Sequence, residues 1–481
     1  MKKYIAVMLT VVLLMSLAEG CGSSGSGEEA AGTAATETDA AQSSAADTSS
    51  GSEAEAEETP EVKAFNIYSI GEDFKNRVQD FYPGYESTGE SSGMIRDVPI
   101  VWHVYADAAE YRDALNERLG SGADPDEGVD LFVVGETYLR DYVESAASMD
   151  VIGEVGLTQE DLSDQFLYTQ QMATDADGKL KAVSWQAAPG VFAYRRSIAR
   201  EVLGTDDPEK VQEAVSDWEA FADTADAVKE AGYYMLSGYE DAYRVYADNV
   251  TSAWVENGAL NIDPHLEDWA VQTREFAEKG YTHGTEQWSD EWRADHTGDG
   301  KVFGFFYSSW GIHYTLQTKA EGGEDDAQSA SGDYAVCRGP EPSHYGGQWI
   351  IASKDCGNIE LARSIMKTLT CDPEVMKKIT KDIREFTNTV SGMTELAQSD
   401  YKAEVLGGQN PIPVYLESAK LLSKMHTTTY DDDLDTGFQV TMQDYFAGRV
   451  SEIDALETFR KVALSRYEEL LDIAGDEEEE Q

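Results

Sequence analysis

Phe65-Asn66-Ile67-Tyr68-Ser69-Ile70-Gly71-Glu72-Asp73-Phe74 runs from an apolar strand through a glycine into a helix, and the same alternation repeats downstream. A strand is expected over residues 62–67. Phe74, Val78 and Phe81 then recur at i, i+4 and i+7, the spacing of one helical face. A second strand is expected over 99–105, followed by a helix with Tyr111, Leu115 and Leu119 in line. Residues 129–134 are short and largely apolar, as a strand covered on both faces must be. Strand, helix, strand, helix, strand implies right-handed crossovers and a parallel α/β sheet.

A second region begins near Trp185. Ser216-Asp217-Trp218-Glu219 reads as a capping box opening a helix with Trp218, Phe221, Ala225 and Val228. Strands are expected over 302–307, running into Ser308-Ser309-Trp310-Gly311, and over 334–336 and 348–352. Helices are expected over 358–369, 373–383 and 451–467, the last with Ile453, Leu456, Phe459 and Val462 along one face. The sequence shows no internal repeat.

Outside this body the texture differs. Met1-Lys2-Lys3 precedes about 14 mostly apolar residues, fewer than the roughly 20 that an ordinary membrane span needs, so residues 1–20 read as an export signal. It ends Leu17-Ala18-Glu19-Gly20-Cys21, which resembles a bacterial lipobox with Ala18 and Glu19 departing from the usual pattern; Cys21 is the expected lipidation site. From Gly22 to about Pro60 the chain is mostly Ser, Gly, Ala, Thr, Glu and Asp. It cannot bury enough apolar surface to offset ordering, so residues 21–60 are expected to form a disordered tether. Residues 471–481 read as an acidic tail.

The 481 residues carry 37 Lys plus Arg against 91 Asp plus Glu, a formal charge of −54. That excludes a nucleic-acid binder, whose affinity comes from cations neutralising phosphates, and a polybasic membrane patch. Four cysteines are no disulfide framework, and the spacing of Cys337, Cys356 and Cys371 fits neither a zinc site nor a CxxC pair. The seven histidines form no HExxH motif or His/Cys cluster, and no metal site is expected. Tyr430-Asp431-Asp432-Asp433-Leu434-Asp435 fails the EF-hand pattern, because Gly437 falls one position late and no Glu closes the loop.

The order of these pieces resembles the extracellular solute-binding proteins of carbohydrate ABC transporters (family 1 type, maltose-binding-protein-like) in their lipoprotein form. The likeness covers residues 62 to 467. It rests on the opening Phe65–Phe74 stretch, on Val129-Asp130-Leu131-Phe132, and on Gly178-Lys179-Leu180-Lys181-Ala182-Val183-Ser184-Trp185-Gln186 running into Phe192-Ala193-Tyr194-Arg195-Arg196. Ser216-Asp217-Trp218-Glu219, Gly300-Lys301-Val302-Phe303-Gly304 leading to Trp310, Gly346-Gly347-Gln348-Trp349-Ile350 and Tyr445-Phe446-Ala447-Gly448 follow in order.

The resemblance implies an α/β, two-lobed periplasmic-binding-protein-like fold with hinge-crossing strands and a ligand cleft between the lobes. Lobe 1 is expected at 62–185 plus 338–372, and lobe 2 at 186–337 plus 373–470. Hinges are expected near 185–190 and 334–342. It further implies capture of a sugar or oligosaccharide for delivery to a membrane permease pair driven by a cytoplasmic ATPase. No catalytic residue and no cofactor are needed. The protein would be a monomer held by its lipid at the outer face of the cytoplasmic membrane.

A sugar offers hydroxyls at its edge and polarised C–H groups on its face. The first suit carboxylates, amides and Arg; the second suit flat aromatic rings. By analogy with the family, Trp310 after its strand is the expected stacking residue. Trp185 at the first crossover and Trp349 on the returning strand are further candidates. Tyr239 with Glu240 or Asp241 sits where a strand gives way to a loop, the ligand edge of such sheets. Glu72 and Asp73 occupy the same topological position, with helix capping as their other role. Trp288-Ser289-Asp290-Glu291-Trp292 reads as a lid with Trp288 and Asp290 reaching the ligand, or as a surface loop anchored by its indoles. Asp431 is either a capping residue or a sugar contact. Trp102, Trp218, Trp254 and Trp269 are expected in the core.

Two other functions fit the sequence less well. A secreted glycoside hydrolase needs two carboxyl groups facing each other across the bond, and the carboxylates picked out here are sequence neighbours. A receptor for peptides or polyamines shares fold and anchor, although a polyamine site wants more acid and less indole.

Overall fold

The computed structural model describes residues 63–119, 128–321 and 329–471, and the expected signal, Cys21 lipidation site, tether and most of the acidic tail lie outside them. The opening strand β1 (Phe65–Ile70) is followed by a hairpin, β2 (Tyr85–Gly89) and β3 (Ser92–Ile95), and then by β4 (Val98–Tyr105) and β5 (Leu131–Gly135). Next come β6 (Val183–Ser184), β7 (Pro189–Arg195), β8 (Val255–Glu256), β9 (Ala259–Leu260) and β10 (Gly304–Ser308). The last three are β11 (Tyr334–Cys337), β12 (Ser343–His344) and β13 (Gln348–Ala352).

The first sheet has the order β2-β3-β4-β1-β5-β13-β6. At its centre β1 runs parallel to β4 and β5, as the alternating pattern implies, while β13 runs antiparallel to β5 and β6. The hairpin β2–β3 was not foreseen: β2 is mostly exposed, and β3 buries only Gly93 and Ile95, so the pair carries no clear two-fold apolar signal. The helix Asp73–Phe81 buries Phe74, Val78 and Phe81 as spaced, each burial contributing roughly 2 kcal/mol. The helix Ala108–Arg118 is capped by Asp107, whose carboxylate accepts from the amides of Ala109 and Glu110, and Tyr111 beneath it donates to the Val133 carbonyl at 2.7 Å.

The second sheet has β7 at its centre, paired antiparallel to β10, β11 and β12. The approach of β12 is close: a Cβ on Gly190 would stand 1.9 Å from the Ser343 hydroxyl, so only glycine fits there. Because β12 still pairs with β7, the return to the first sheet comes at residues 345–347, later than the expected 334–342. The outward crossing is residues 185–188, at the expected place. A third segment lies beside them. Ala187 N–H donates to Phe386 O at 3.2 Å, Asn388 N–H to Trp185 O at 2.9 Å, and Tyr345 N–H to Ala188 O at 3.2 Å. Ala188 adopts φ +47°, and Gly346 and Gly347 adopt +80° and +110°.

Two cores result. One gathers the first sheet with the helices Asp73–Phe81, Ile359–Cys371 and Pro373–Ile383; the other gathers Phe192 and Tyr194 of β7 with the helices Trp218–Glu230, Pro264–Lys279, Asp431–Phe446 and Glu452–Arg466. Trp102, Trp254 and Trp269 are buried as expected, while Trp218 is half-buried, stacked on Tyr246 at 4.1 Å at the edge of the second core. The helix Trp218–Glu230 forms, but its cap is Asp217, accepting from Ala220 N–H at 2.9 Å, in place of the capping box expected from Ser216 and Glu219. The last helix differs from expectation. It buries Ala455, Phe459 and Ala463, whereas Ile453 is 70% exposed and Val462 50%. The small alanines flanking Phe459 let it sit close against the helix Asp431–Phe446, and this close approach sets the buried face. Among the described residues no helix is long and apolar enough to cross a membrane.

Candidate functional site

The end of β10 builds the centre of the site. Tyr307 and Ser308 end the strand, and the first turn of the helical stretch that runs from Ser309 to Ala320 presents Trp310, half-buried. Its indole Nε1 donates to the Tyr345 carbonyl at 2.8 Å, and the two rings lie 5.9 Å apart. Trp310 therefore stands against the crossing at 345–347. Around it opens a cavity of about 230 Å³ lined by Trp288, Trp310, Tyr345, Glu240, Asp241 and Gln439 among others.

Glu240 and Asp241 come from the loop after Leu236, which bridges to Thr282. Asp241 Oδ2 accepts from the amides of Ser237 and Gly238, both at 2.9 Å. Withdrawal from water pushes its carboxyl up to about 7 against the pull of those amides, with Glu240 and Asp295 adding to the rise. Glu240 accepts from Gln443 Nε2 at 2.7 Å; burial, then the neighbouring Glu286, raise its pKa as well.

Arg244 borders this cavity and a second one of about 120 Å³, lined by Glu136, Asp248, Lys424, Asp431 and Asp435 among others. Burial works against the Arg244 charge, but Glu136 and Asp435 hold its pKa above the ordinary value. Glu136 also feels burial, yet His344, Arg244 and Lys424 bring it down to about 2. Its carboxylate accepts from Gly346 N–H, and Asp248 takes both the Lys424 ammonium and the His344 amide. This ionic group joins the start of the helix Glu136–Val143, after the first sheet, to the second sheet and to the loop before Asp431.

The sequence-predicted residues divide. Trp310, Trp288, Glu240 and Asp241 line the larger cavity, and Asp431 lines the smaller one. Asp431 also accepts from Thr428 N–H at 3.0 Å, and burial pushes its carboxyl up to about 7. Trp185 is fully buried, 5.5 Å from Phe74, with Nε1 donating to Glu385 at 3.2 Å; it is a core residue of the crossing, not a ligand contact. Trp349 is likewise fully buried, its Nε1 donating to Thr169 O at 3.3 Å, because β13 lies between β5 and β6 with both faces covered. Tyr239 lines neither cavity and packs on Phe446 at 5.7 Å. Glu72 and Asp73 are exposed and line neither; Glu72 pairs with Lys75 at 2.8 Å and makes no capping bond. Asp290 is 93% exposed on its side chain and pairs with Arg293 at 2.6 Å, since its residue opens a short helix and turns to solvent.

Arg244, Gln439, Tyr345 and Glu136 were missed. Arg244 lies three residues after Asp241, a spacing that places it one helical turn on; the others carry no local signal. Among the described residues no group of His, Cys, Asp and Glu is placed to hold a metal ion.

A family model described as bacterial extracellular solute-binding protein matches residues 94–405, more than half of the sequence. The chain belongs to that family. No curated protein sequence matches this solute-binding protein. Among solved structures it is similar to an extracellular solute-binding protein of family 1, with TM-score 0.70 and 15% identity over 84% of this chain and 99% of that one. It is also similar to the sugar-binding protein MalE from Xanthomonas citri (TM-score 0.64, 13% identity, 84% and 98% covered). A third is the galacto-N-biose-/lacto-N-biose I-binding protein of the ABC transporter from Bifidobacterium longum, in complex with lacto-N-biose (TM-score 0.60, 14% identity, 86% and 100% covered). At these identities the likeness establishes the two-lobed α/β fold of this solute-binding protein.

Proposed function

We propose that this solute-binding protein captures a sugar or oligosaccharide in the cavity at Trp310 and delivers it to the permease of an ABC importer, without chemistry. The observation that carries the reading is the meeting of two indoles, Trp288 and Trp310, with two recessed carboxylates, Glu240 and Asp241, in one cavity. Indole faces suit the C–H side of a sugar ring and carboxylates suit its hydroxyls. The lacto-N-biose-bound relative supports the same reading. The carboxylates at the Trp310 cavity are chain neighbours and one is tied to two backbone amides, which suits recognition better than paired acid–base work.

In this reading the lobe built on the first sheet, which keeps the helix Pro373–Ile383 that the sequence assigns to the other lobe, and the lobe built on the second sheet turn about the crossings. Closure follows only where the ligand binds the closed state better than the open one. The protein acts as a monomer, tethered through a lipid on Cys21 outside the cytoplasmic membrane. The test is a thermal-shift screen of the purified protein against plant, host and storage oligosaccharides, followed by long incubation with the best hit. A shift with the saccharide intact is the expected result; no shift with any saccharide, or the appearance of fragments, overturns the proposal.

A further inference from the structure

Charge is distributed unevenly around the larger cavity. Glu240 has Gln443 as its side-chain partner and no cation within ion-pair distance among the described residues. Both hydrogen bonds to Asp241 converge on Oδ2, which leaves Oδ1 open. Glu286 and Asp295, the latter bonded to His283 Nδ1 at 2.8 Å, stand close enough to raise the pKa of Glu240 and of Asp241 respectively. Arg244, the cation on the lining, is already committed: Asp435 lies 3.9 Å away, Glu136 and Asp248 act on it, and its guanidinium sits 5.0 Å over the Tyr345 ring.

Three buried residues on the same lining carry polar atoms with no hydrogen-bond partner within the protein: Trp292 at its Nε1 donor (2% exposed), Ser308 at its hydroxyl (3% exposed) and His344 at its ring nitrogens (1% exposed), the Nδ1 of which lies 3.3 Å from Glu136. Buried groups of this kind cost stability unless something satisfies them, and a ligand with acceptor oxygens does so. The lining therefore combines these unsatisfied polar groups with carboxylates at one end and the indoles of Trp288 and Trp310. A ligand ammonium gains from the last two together: it pairs with Glu240, favours release of the proton that Asp241 holds up to about 7, and is attracted to indole faces. A ligand carboxylate or sulfate meets repulsion there.

We propose that Glu240 and Asp241 make the site selective for charge, so that it takes an amine-bearing sugar in preference to its neutral counterpart and rejects acidic sugars. This rests on the reading of the cavity as a saccharide site and names the class of saccharide.

The test is isothermal titration with three matched series, glucose, galactose and mannose, each as the neutral hexose, the 2-amino hexose and the hexuronate. Within any series that binds, the amino sugar should be tighter than the neutral one by about tenfold and the uronate weaker than both. Glu240→Gln with Asp241→Asn should collapse that ranking, the amino sugar losing more affinity than its neutral counterpart and the uronate losing least. A uronate that binds as well as its neutral hexose, or a ranking unchanged in the double variant, overturns the charge selectivity and leaves saccharide capture standing. Failure of every sugar in all series, together with every oligosaccharide in the screen, overturns capture itself and the selectivity with it.

Discussion

The indole nitrogen of Trp310 donates to the carbonyl of Tyr345 at 2.8 Å, so the aromatic wall of the cavity is fastened to the segment by which the chain returns to the first sheet. The residue is half-buried and lines the cavity.

Trp310→Ala is therefore predicted to weaken saccharide binding by more than about tenfold, roughly 1.4 kcal/mol, with little change in Tm. Trp310→Phe keeps a ring but loses the donor, and should fall between the two. Titration of the best ligand from the screen, beside a melting curve, reads both. A large loss of stability with unchanged affinity would mean that the ring serves packing.

Trp185→Phe should behave in the opposite way. It removes the donor to Glu385, which also receives Arg77 Nε at 3.1 Å, from a fully buried site. Stability should drop by about 1–3 kcal/mol in urea unfolding, with ligand affinity in the folded protein unchanged. Lost affinity at full stability would return Trp185 to the ligand site.

Lys424→Met should destabilise by about 3 kcal/mol or more, because the Asp248 side chain is 1% exposed and would lose its cation. The double variant Lys424→Met with Asp248→Asn should recover part of the loss. An equal or larger loss in the double variant would argue that the ion pair contributes nothing.

Two groups give the stability opposite slopes with pH. Asp241 holds its proton up to about 7 when folded against 3.8 ordinarily, so between those values the folded protein binds a proton that the unfolded chain has released, and stability falls as pH rises. His296 is pushed by burial down to about 3 from 6.5, so in that window the unfolded chain takes up a proton that the folded protein refuses, and stability falls as pH drops. Asp241→Asn should remove its own share of the first slope, to which Asp431 contributes likewise: relative to the parent, its Tm should gain between pH 4 and pH 7. A constant difference across that range would show that Asp241 does not titrate there.

Much of the fold was legible because its central strands and flanking helices carry strong periodic signals. Phe74, Val78 and Phe81 pack as spaced, and the helix Pro373–Ile383 begins and ends as foreseen. The hairpin β2–β3 was not legible because β2 is mostly exposed, and the face of the last helix was misread because its apolar repeat, Ile453 to Val462, yields to packing through Ala455 and Ala463. At the site, residues just after a strand, such as Trp310, were found because strand ends face the cleft. Trp185 and Trp349 misled because an indole on a crossing or returning strand looks the same whether it fills the core or meets a ligand. Gln439 and Tyr345 were out of reach, as they join the cavity only through tertiary packing.

The three chain segments near Ala188, Tyr345 and Phe386 are laced to one another by main-chain hydrogen bonds, with left-handed backbone at Ala188, Gly346 and Gly347. Threads sewn together in this way cannot swing independently. Torsion at one must be matched by its neighbours or the stitches break, so the two halves of the molecule share a single axle and sliding past each other is disfavoured. A change of one residue at that seam should therefore alter how the whole body opens, even with every group in the cavity left untouched.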